Sequence, residues 1–342
     1  MSAPGISGDT ADEAALGRWL EDNVAGFSGP FTLTKFATGQ SNPTYRIDAA
    51  SGPLVLRRKP FGELLQSAHA VDREYRLLSA LSPTGFPVPR PFALCSDAGV
   101  IGSIFYVMEL AEGRTFADGA LPDRQPQVRT RMYLDLVDTL ADLHLVDVEA
   151  AGLASFGKAG NYFERQVGRW TRQYRDSQTD DLPAMEQLIE WLPATLPPQS
   201  RTSVVHGDYR IDNAAFADDG RLTAVLDWEL ATTGDPVADF SYFAMQWKMP
   251  ADGTASLGGL DLEALGIPSL EAITARYSER SGIDVGATLD WYFAYNLFRL
   301  AAIVQGIKKR VIDGTASNAR AREMAAWVPA LAEAAWSFAL RT

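Results

Sequence analysis

Residues 203–240 read SVVHGDYRIDNAAFADDGRLTAVLDWELATTGDPVADF, and this stretch decides the fold. A short apolar run precedes Asp208, and Asn213 follows after four intervening residues. A second apolar run ends at Asp227, and the letters DDG between the runs are typical of a hairpin turn. Asp208, Asn213 and Asp227 are therefore expected at strand ends or in the loops beside them.

These three side chains are the candidates for chemistry. Two carboxylates and one amide oxygen suit a hard cation such as Mg²⁺. The order Asp-x-x-x-x-Asn followed by a later Asp matches kinases, in which the first Asp accepts the proton of the attacking hydroxyl. The Asn and the later Asp hold metal ions there. Each residue could instead hydrogen-bond its own backbone in a turn, but all three in order, with an apolar strand before each Asp, favour the site.

The quoted stretch also resembles a known family. The segments that carry the resemblance are His206-Gly207-Asp208-Tyr209-Arg210-Ile211-Asp212-Asn213, Leu226-Asp227-Trp228-Glu229 and Gly234-Asp235-Pro236 with Asp239. They resemble the aminoglycoside phosphotransferases, a family of kinase-like small-molecule kinases, and within it the branch related to kinase domains fused to acyl-CoA dehydrogenases. The chain departs from the protein kinase pattern at Gly207, where Arg is usual, and in the letters DWE in place of Asp-Phe-Gly.

The resemblance implies a two-lobed α+β fold like that of protein kinases. We expect an N-terminal nucleotide-binding lobe with a small antiparallel sheet over residues 1–108 and a hinge over 109–115. A large, mostly helical lobe with the catalytic loop and the substrate site is expected over 116–342, with helices around 269–281, 287–311 and 317–340. Backbone groups of Glu109 and Leu110 in the hinge would contact the adenine of ATP.

Further nucleotide contacts are expected in the first lobe. Ser41 and Asn42 lie in a small polar turn between two strands, where backbone N–H groups can cover phosphates. Arg57, on the third strand, holds the place of the Lys that contacts the phosphates in kinases, and Glu74 on the next helix is its expected partner. Lys59 lies on the same face two residues later and is the competing candidate.

Candidates for substrate contact are less sharply defined. Arg165, Arg169, Arg172 and Arg175 recur at helical spacing and form either a solvated face or an anion-binding strip. Trp228 and Glu229, directly after Asp227, are further candidates. His206 and Asp239 are expected to support the catalytic loop.

Composition limits the partners. The net charge of −12 argues against nucleic acid or an anionic membrane as the main partner. The single cysteine, Cys95, and the lack of an evident signal peptide suggest a cytoplasmic protein. The longest apolar stretch, 291–307, contains polar residues and predicts a buried helix. Oligomeric state stays open.

The predicted activity is transfer of the γ-phosphoryl group of ATP, with Mg²⁺, to a hydroxyl of a small molecule. The resembling branch implies a hydroxyacyl-CoA as acceptor. The alternatives are an aminoglycoside or another amino alcohol or sugar, and a catalytically inactive nucleotide-binding module.

Overall fold

A computed structural model of the chain describes residues 13–36, 42–60, 71–158, 160–199, 201–250, 254–316 and 320–342. The chain forms two compact units. The first unit comprises residues 1–116, 149–153 and 211–231, and the second comprises 117–148, 154–210 and 232–342.

The first unit is built on a five-stranded antiparallel sheet. Its strands lie in the order β1-β2-β3-β5-β4, and every neighbouring pair is antiparallel. Two further strands, β7 and β8, form a separate antiparallel hairpin. The elements are α1 (Glu13–Asn23), β1 (Phe31–Lys35), β2 (Thr44–Ala49), β3 (Gly52–Arg58), α2 (Val71–Leu81), β4 (Pro91–Cys95), β5 (Phe105–Glu109), β7 (Ala214–Phe216) and β8 (Leu222–Val225).

Helix α2 packs against β4 and β5, and its buried face brings one charged side chain into the interior of this unit. Its buried positions are Val71, Glu74, Leu77, Leu78 and Leu81, which recur at the spacing of one helical face. Glu74 is thus the single carboxylate on an otherwise apolar stripe, and a buried carboxylate needs a cationic or hydrogen-bonding partner.

Residues 211–231 belong to the first unit although they lie far along the chain. The β7–β8 hairpin is attached by backbone hydrogen bonds from Val225 to Pro87 and, in both directions, between Phe216 and Arg114. Gly113 makes this approach possible, since a Cβ there would lie 2.4 Å from the Phe216 carbonyl oxygen.

The second unit is predominantly helical. Strands β6 (Ser203–Val205) and β9 (Thr232–Gly234) form its two-stranded antiparallel sheet. Its helices are α3 (Pro126–Leu145), α4 (Tyr162–Ser177), α5 (Pro183–Ala194), α6 (Val237–Ala244), α7 (Leu262–Leu265), α8 (Leu270–Ser281), α9 (Leu289–Ile312), α10 (Ala321–Ala325) and α11 (Val328–Ala339).

Helix α9 is the centre of this unit and packs against α4, α6 and α11. Phe163 of α4 contacts Trp291, Tyr292 and Tyr295 of α9 with ring centroids 4.9–5.2 Å apart. The buried helix predicted from the apolar stretch 291–307 lies within α9. Within the described ranges, no helix is both long enough and apolar enough to cross a lipid bilayer.

One predicted element differs. The segment 317–340 was expected to be a single helix, but the described part of it forms two, α10 and α11. Pro329 lies in the first turn of α11. Because proline lacks an N–H and fits the first turn of a helix, a new helix begins there instead of the old one continuing.

Candidate active site

In the first unit, a guanidinium joins three carboxylates. Arg57, at the end of β3, places Nη2 2.6 Å from Asp227 Oδ1 and 3.5 Å from Glu229 Oε2. Its Nε lies 2.9 Å from Glu74 Oε2, but the N–H does not point at that oxygen, so this contact is an ion pair without a hydrogen bond. The structure thus brings together Arg57, Glu74, Asp227 and Glu229.

This group carries a net charge of −2 when all four side chains are ionised. Burial opposes the charge of Arg57, but Glu74, Tyr106 and Asp227 outweigh it and raise the pKa of Arg57. Burial raises the pKa of Glu74 to about 7, against the attraction of Arg57 and with further repulsion from Asp227 and Glu229. One fixed cation does not neutralise three carboxylates, so the group is suited to a second cation.

The other predicted nucleotide contacts lie around this group. Asn42 is buried and its Nδ2 donates to Glu229 Oε2 at 3.3 Å, whereas Ser41 lies outside the described residues. Lys59 follows the last residue of β3, and its backbone carbonyl accepts from Ser103. No carboxylate lies within ion-pair distance of Lys59 in the described part of the chain, so the geometry favours Arg57 over Lys59 as the partner of Glu74.

Asn213 and Asp227 lie at the same end of the β7–β8 hairpin. Ala214 pairs with Val225, and the N–H of Leu226 donates to the Asn213 carbonyl at 2.8 Å. Asp227 has a φ of 61°, in the left-handed region that few residues other than glycine adopt. Such strained residues are concentrated at functional sites. A carboxylate and an amide oxygen at one hairpin end, beside a cluster with excess negative charge, fit a hard divalent cation.

Asp208 belongs to the second unit and follows β6 by three residues. Its carboxylate lies 3.4 Å from Nε of Arg210 and its side chain is about one quarter exposed, at 26%. Burial, the charge of Asp208 and a hydrogen bond to Asp208 raise the pKa of Tyr242 to about 12, although Arg210 and Arg299 oppose the shift. Asp208 is therefore accessible and held from two sides.

Hydrogen bonds to α6 hold the loop that precedes Asp208. Asp239 of α6 is buried and accepts from the backbone N–H groups of His206, at 2.5 Å, and Gly207, at 2.8 Å. Gly207 has a φ of 88°, a conformation that glycine adopts without strain, which gives a physical reason for Gly at a position where kinases have Arg. These hydrogen bonds favour a supporting role for Asp239 and His206.

His144 completes the support. It is fully buried, Nδ1 lies 2.7 Å from the hydroxyl of Tyr277, and Nε2 lies 3.5 Å from Asp239 Oδ2. Burial lowers the pKa of His144 more than Asp239 raises it, so the imidazole is neutral near pH 7. It packs beneath the loop and has a structural part in the site.

Arg299 of α9 is a site residue that the sequence analysis missed. Its Nη2 donates to the Gly207 carbonyl at 3.2 Å, next to Asp208. Its guanidinium also lies over the rings of Tyr242, at 5.2 Å, and Trp170, at 5.6 Å. The only signal in the sequence is a cation in the middle of an apolar run, which a buried helix alone does not require.

The structure gives less support to the predicted adenine contacts and to the predicted substrate contact of Trp228. Glu109 ends β5, and its backbone N–H donates to the Arg90 carbonyl at 2.9 Å, so this N–H is not available to an adenine; Leu110 follows it at the end of the sheet. Trp228 is buried against Phe86, with Nε1 donating to the Val225 carbonyl, which favours packing over substrate contact.

The arginines of α4 separate into different environments. Arg165 donates to the Asn161 carbonyl at 3.1 Å, and Arg175 pairs with Glu186 at 2.5 Å. Arg169 and Arg172 are exposed and line one surface cavity of the second unit. The structure therefore places these four arginines in different environments within the second unit.

Comparison with known proteins gives large relatives. The chain is 44% identical over 331 residues to "Acyl-CoA dehydrogenase family member 10" of Mus musculus, covering 96% of this chain and 31% of that protein. It is 40% identical over 332 residues to "Acyl-CoA dehydrogenase family member 11" of Gallus gallus, covering 94% of this chain and 43% of that protein. The chain thus spans less than half the length of these curated relatives.

Solved structures share the fold. A crystal structure from Ralstonia eutropha JMP134, assigned as an aminoglycoside phosphotransferase, has a TM-score of 0.89 at 42% identity and covers 96% of this chain and 98% of its own. A macrolide 2'-phosphotransferase from Brachybacterium faecium has a TM-score of 0.59 at 22% identity, covering 92% and 97%. These similarities confirm the predicted α+β fold of the protein-kinase-like type.

The family model described as "Phosphotransferase enzyme family" matches residues 32–273. This range contains the five-stranded sheet except its first residue, the helix that carries Glu74, and the residues Asp208, Asn213 and Asp227. The resemblance stated from the motifs is confirmed. The chain therefore belongs to the phosphotransferase enzyme family and is an enzyme of the small-molecule kinase class.

Proposed function

We propose that the chain transfers the γ-phosphoryl group of ATP to a hydroxyl of a hydroxyacyl-CoA, with Mg²⁺ as the metal. The observation that carries the nucleotide part is the Arg57–Glu74–Asp227 cluster, with Asn213 beside Asp227 at one hairpin end. A fixed cation, a strained carboxylate and an amide oxygen are the set that phosphoryl transfer requires around the phosphates.

In this proposal Arg57 binds and orients the phosphates of ATP, and Glu74 holds the guanidinium in place. Asn42 and Ser41 would contribute polar groups near the phosphates, and backbone groups at Glu109 and Leu110 would lie near the base. The planar fork of Arg can contact a carboxylate and a phosphate together, which a point charge such as Lys does less well.

Asp208 acts as the general base. The hydroxyl oxygen of the acceptor forms a bond to the γ-phosphorus, the bond from that phosphorus to the β-phosphate oxygen breaks, and ADP leaves. The proton of the hydroxyl passes to the carboxylate of Asp208. Tyr242 hydrogen-bonds this carboxylate, Arg299 holds the neighbouring Gly207 carbonyl, and Asp239 holds the loop that carries Asp208.

Asn213 and Asp227 would hold Mg²⁺, which when bound neutralises charge on the phosphates. The excess negative charge around Arg57 supports this assignment, because a divalent cation would balance the remaining carboxylates. Burial is the main reason that the pKa of Glu74 is raised to about 7, and repulsion from Asp227 and Glu229 adds to it.

The acceptor is proposed from the relatives and from charge. Relatives named as acyl-CoA dehydrogenase family members match 94–96% of this chain. Arg169 and Arg172 are exposed cations in an otherwise acidic chain and are suited to an anionic thioester. The first alternative is an aminoglycoside, a polycation that the acidic remainder of the chain would attract. The second alternative is an inactive nucleotide-binding module.

A release assay separates these functions. Purified chain, Mg²⁺ and ATP are combined with 3-, 4- and 5-hydroxyacyl-CoAs, with the unsubstituted acyl-CoAs, and with a panel of aminoglycosides, and ADP is measured. We expect ADP only with hydroxyacyl-CoAs, and a loss of about 10²–10⁴-fold in turnover for Asp208→Ala. If only aminoglycosides give ADP, the acceptor is an aminoglycoside and not a hydroxyacyl-CoA. If ATP binds but no ADP is released, the result favours the inactive module.

A further inference from the structure

A basic cavity lies on the surface of the second unit, where α4 packs against α9. Its volume is about 520 Å³, and its lining includes Arg169, Arg172, Asp176, Gly306, Lys309 and Arg310. A volume of this size is within the range of small-molecule sites, roughly 300–1,000 Å³. Two turns of α4 and one of α9 supply the charges, so the positions of the cations are set by two packed helices.

The cavity is positive in a chain that is strongly negative overall. Four of its side chains are cations and one, Asp176, is an anion, whereas the whole chain carries −12. Lys309 pairs with Asp313 at 2.6 Å. Arg169, Arg172 and Arg310 have no carboxylate within ion-pair distance among the described residues. Unneutralised cations clustered against the overall charge form a local field that concentrates anions.

Arginine defines the class of anion. Its planar fork matches the oxygens of a phosphate and gives short, charge-assisted hydrogen bonds. Three arginines and a lysine around one cavity fit a ligand with several phosphate oxygens, such as a phosphate monoester next to a diphosphate. A polycationic ligand would be repelled by the same groups.

Side-chain contacts within the second unit link the lining of the cavity to the catalytic loop. The guanidinium carbons of Arg169 and Arg299 lie 4.9 Å and 5.6 Å from the ring centroid of Trp170. Arg299 in turn bonds the Gly207 carbonyl. Arg310 follows Arg299 by eleven residues of α9, which corresponds to roughly 16 Å along a helix. A ligand that reaches from the cavity toward Asp208 must therefore be long.

We propose that this cavity binds the phosphates at the remote end of the phosphoryl acceptor, an inference that rests on the proposed function. In CoA a 3'-phosphate and a diphosphate stand at one end of an extended pantetheine arm, and the thioester stands at the other. The cavity then anchors the nucleotide end of the acyl-CoA, and the arm carries the acyl hydroxyl toward Asp208. Arg172 and Arg310 are specificity residues in this arrangement.

Calorimetric titration tests the cavity directly, with CoA, dephospho-CoA, adenosine 3',5'-bisphosphate and metal-free ATP as probes. We expect CoA and the bisphosphate to bind more tightly than dephospho-CoA. The double variant Arg172→Glu/Arg310→Glu should weaken CoA binding at least about tenfold, since each charged hydrogen bond lost is of that order. Loss of ATP binding in this double variant, with CoA binding unchanged, would assign the cavity to free nucleotides and overturn the proposal.

Two further variants keep the result interpretable. Gly306 lines the cavity, and a Cβ there meets only Gln173 Nε2, at 4.0 Å. Gly306→Leu should therefore occupy part of the cavity without changing its charge, and we expect it to weaken CoA binding as well. Arg322→Glu, an exposed cation of α10 outside the cavity, makes the same kind of charge change and should leave binding unchanged. Unaltered CoA binding in the double variant would overturn the proposal.

The two proposals fail in different ways. If hydroxyacyl-CoAs give ADP and the double variant leaves KM unchanged, the cavity proposal is wrong and the activity stands. If CoA binding depends on Arg172 and Arg310 but no hydroxyacyl-CoA gives ADP, the cavity binds as proposed and the acceptor is wrong. An increase in KM of about tenfold with kcat nearly unchanged supports both, because the lost contacts are remote from the transferred group.

Discussion

Arg57 shows how one residue determines the electrostatics of a site. Its guanidinium reaches Glu74, Asp227 and Glu229, and none of these three carboxylates can be replaced without changing the charge that the others experience. Breaking a buried ion pair by removing one partner costs about 3–5 kcal/mol, since the other charge is left without compensation. The Arg57–Glu74 pair is therefore best tested by neutralising the carboxylate.

Glu74→Gln should change the dependence of stability on pH. The pKa of Glu74 is raised from 4.5 to about 7, mainly by burial. Between these values the folded chain holds a proton that the unfolded chain has lost, so unfolding free energy falls as pH rises through the window and levels off above about 7. The glutamine variant lacks this term.

The measurement is urea unfolding of both proteins from pH 4.5 to 8. Across this pH range, the free energy of unfolding of wild type should fall by up to about 3 kcal/mol relative to that of the variant, since one pKa unit corresponds to about 1.4 kcal/mol. Glu263→Gln, at an exposed position of α7, controls for the loss of one charge. A wild-type-minus-variant difference that stays constant with pH would contradict the assigned shift.

At the scale of elements, α6 supports the loop after β6. Two backbone N–H groups donate to different oxygens of the Asp239 carboxylate, and in asparagine one of these oxygens is replaced by an NH2 group that cannot accept. Asp239→Asn should therefore lower the free energy of unfolding by roughly 2–3 kcal/mol, as expected for a hydrogen bond to a charged group. It should also lower kcat by misplacing Asp208, whereas ATP binding to the first unit is unchanged.

Denaturant unfolding, kcat and ATP-dependent melting measured together test this role. Asp284→Asn makes the same chemical change at an exposed position and should leave all three quantities near wild type. A variant at Asp239 that keeps wild-type kcat despite lost stability would leave Asp239 with a purely structural part.

The helices and strands around the site could be predicted from the sequence, but the long-range contacts between them could not. Hydrophobic periodicity predicted a strand before each of Asp208 and Asp227 and the long buried helix that became α9, because local pattern and burial agree there. The contacts of Glu229 with Arg57 and Asn42 join residues more than 170 positions apart, and no local pattern encodes them.

The same limit applies to the arginines of α4. Their spacing left a solvated face and an anion-binding strip as alternatives. The residues that give these arginines different environments lie elsewhere in the chain: Glu186 neutralises Arg175, and α9 places Lys309 and Arg310 beside Arg172. Which helix packs against α4 is a property of the tertiary fold, so the cavity could not be found from the segment alone.

For the whole molecule, binding and chemistry are assigned to residues of different units. Asn213, Asp227 and Arg57 belong to the first unit and Asp208 to the second. Variants in the two sets should therefore separate nucleotide binding from turnover. A ligand that binds only the folded state stabilises it by about 2.7 kcal/mol at one hundred times its Kd, which is a measurable rise in melting temperature.

We expect ATP with Mg²⁺ to raise the melting temperature of wild type and of Asp208→Ala equally, while Asp208→Ala loses turnover. Asp227→Asn should lose most of the rise, because asparagine tolerates the φ of 61° but does not supply the charge that a divalent cation needs. Omitting Mg²⁺ should reduce the wild-type rise to the level of this variant. If Asp227→Asn keeps the full rise with Mg²⁺, Asp227 is not a metal ligand, and Asp208→Ala with wild-type turnover would remove Asp208 as the base.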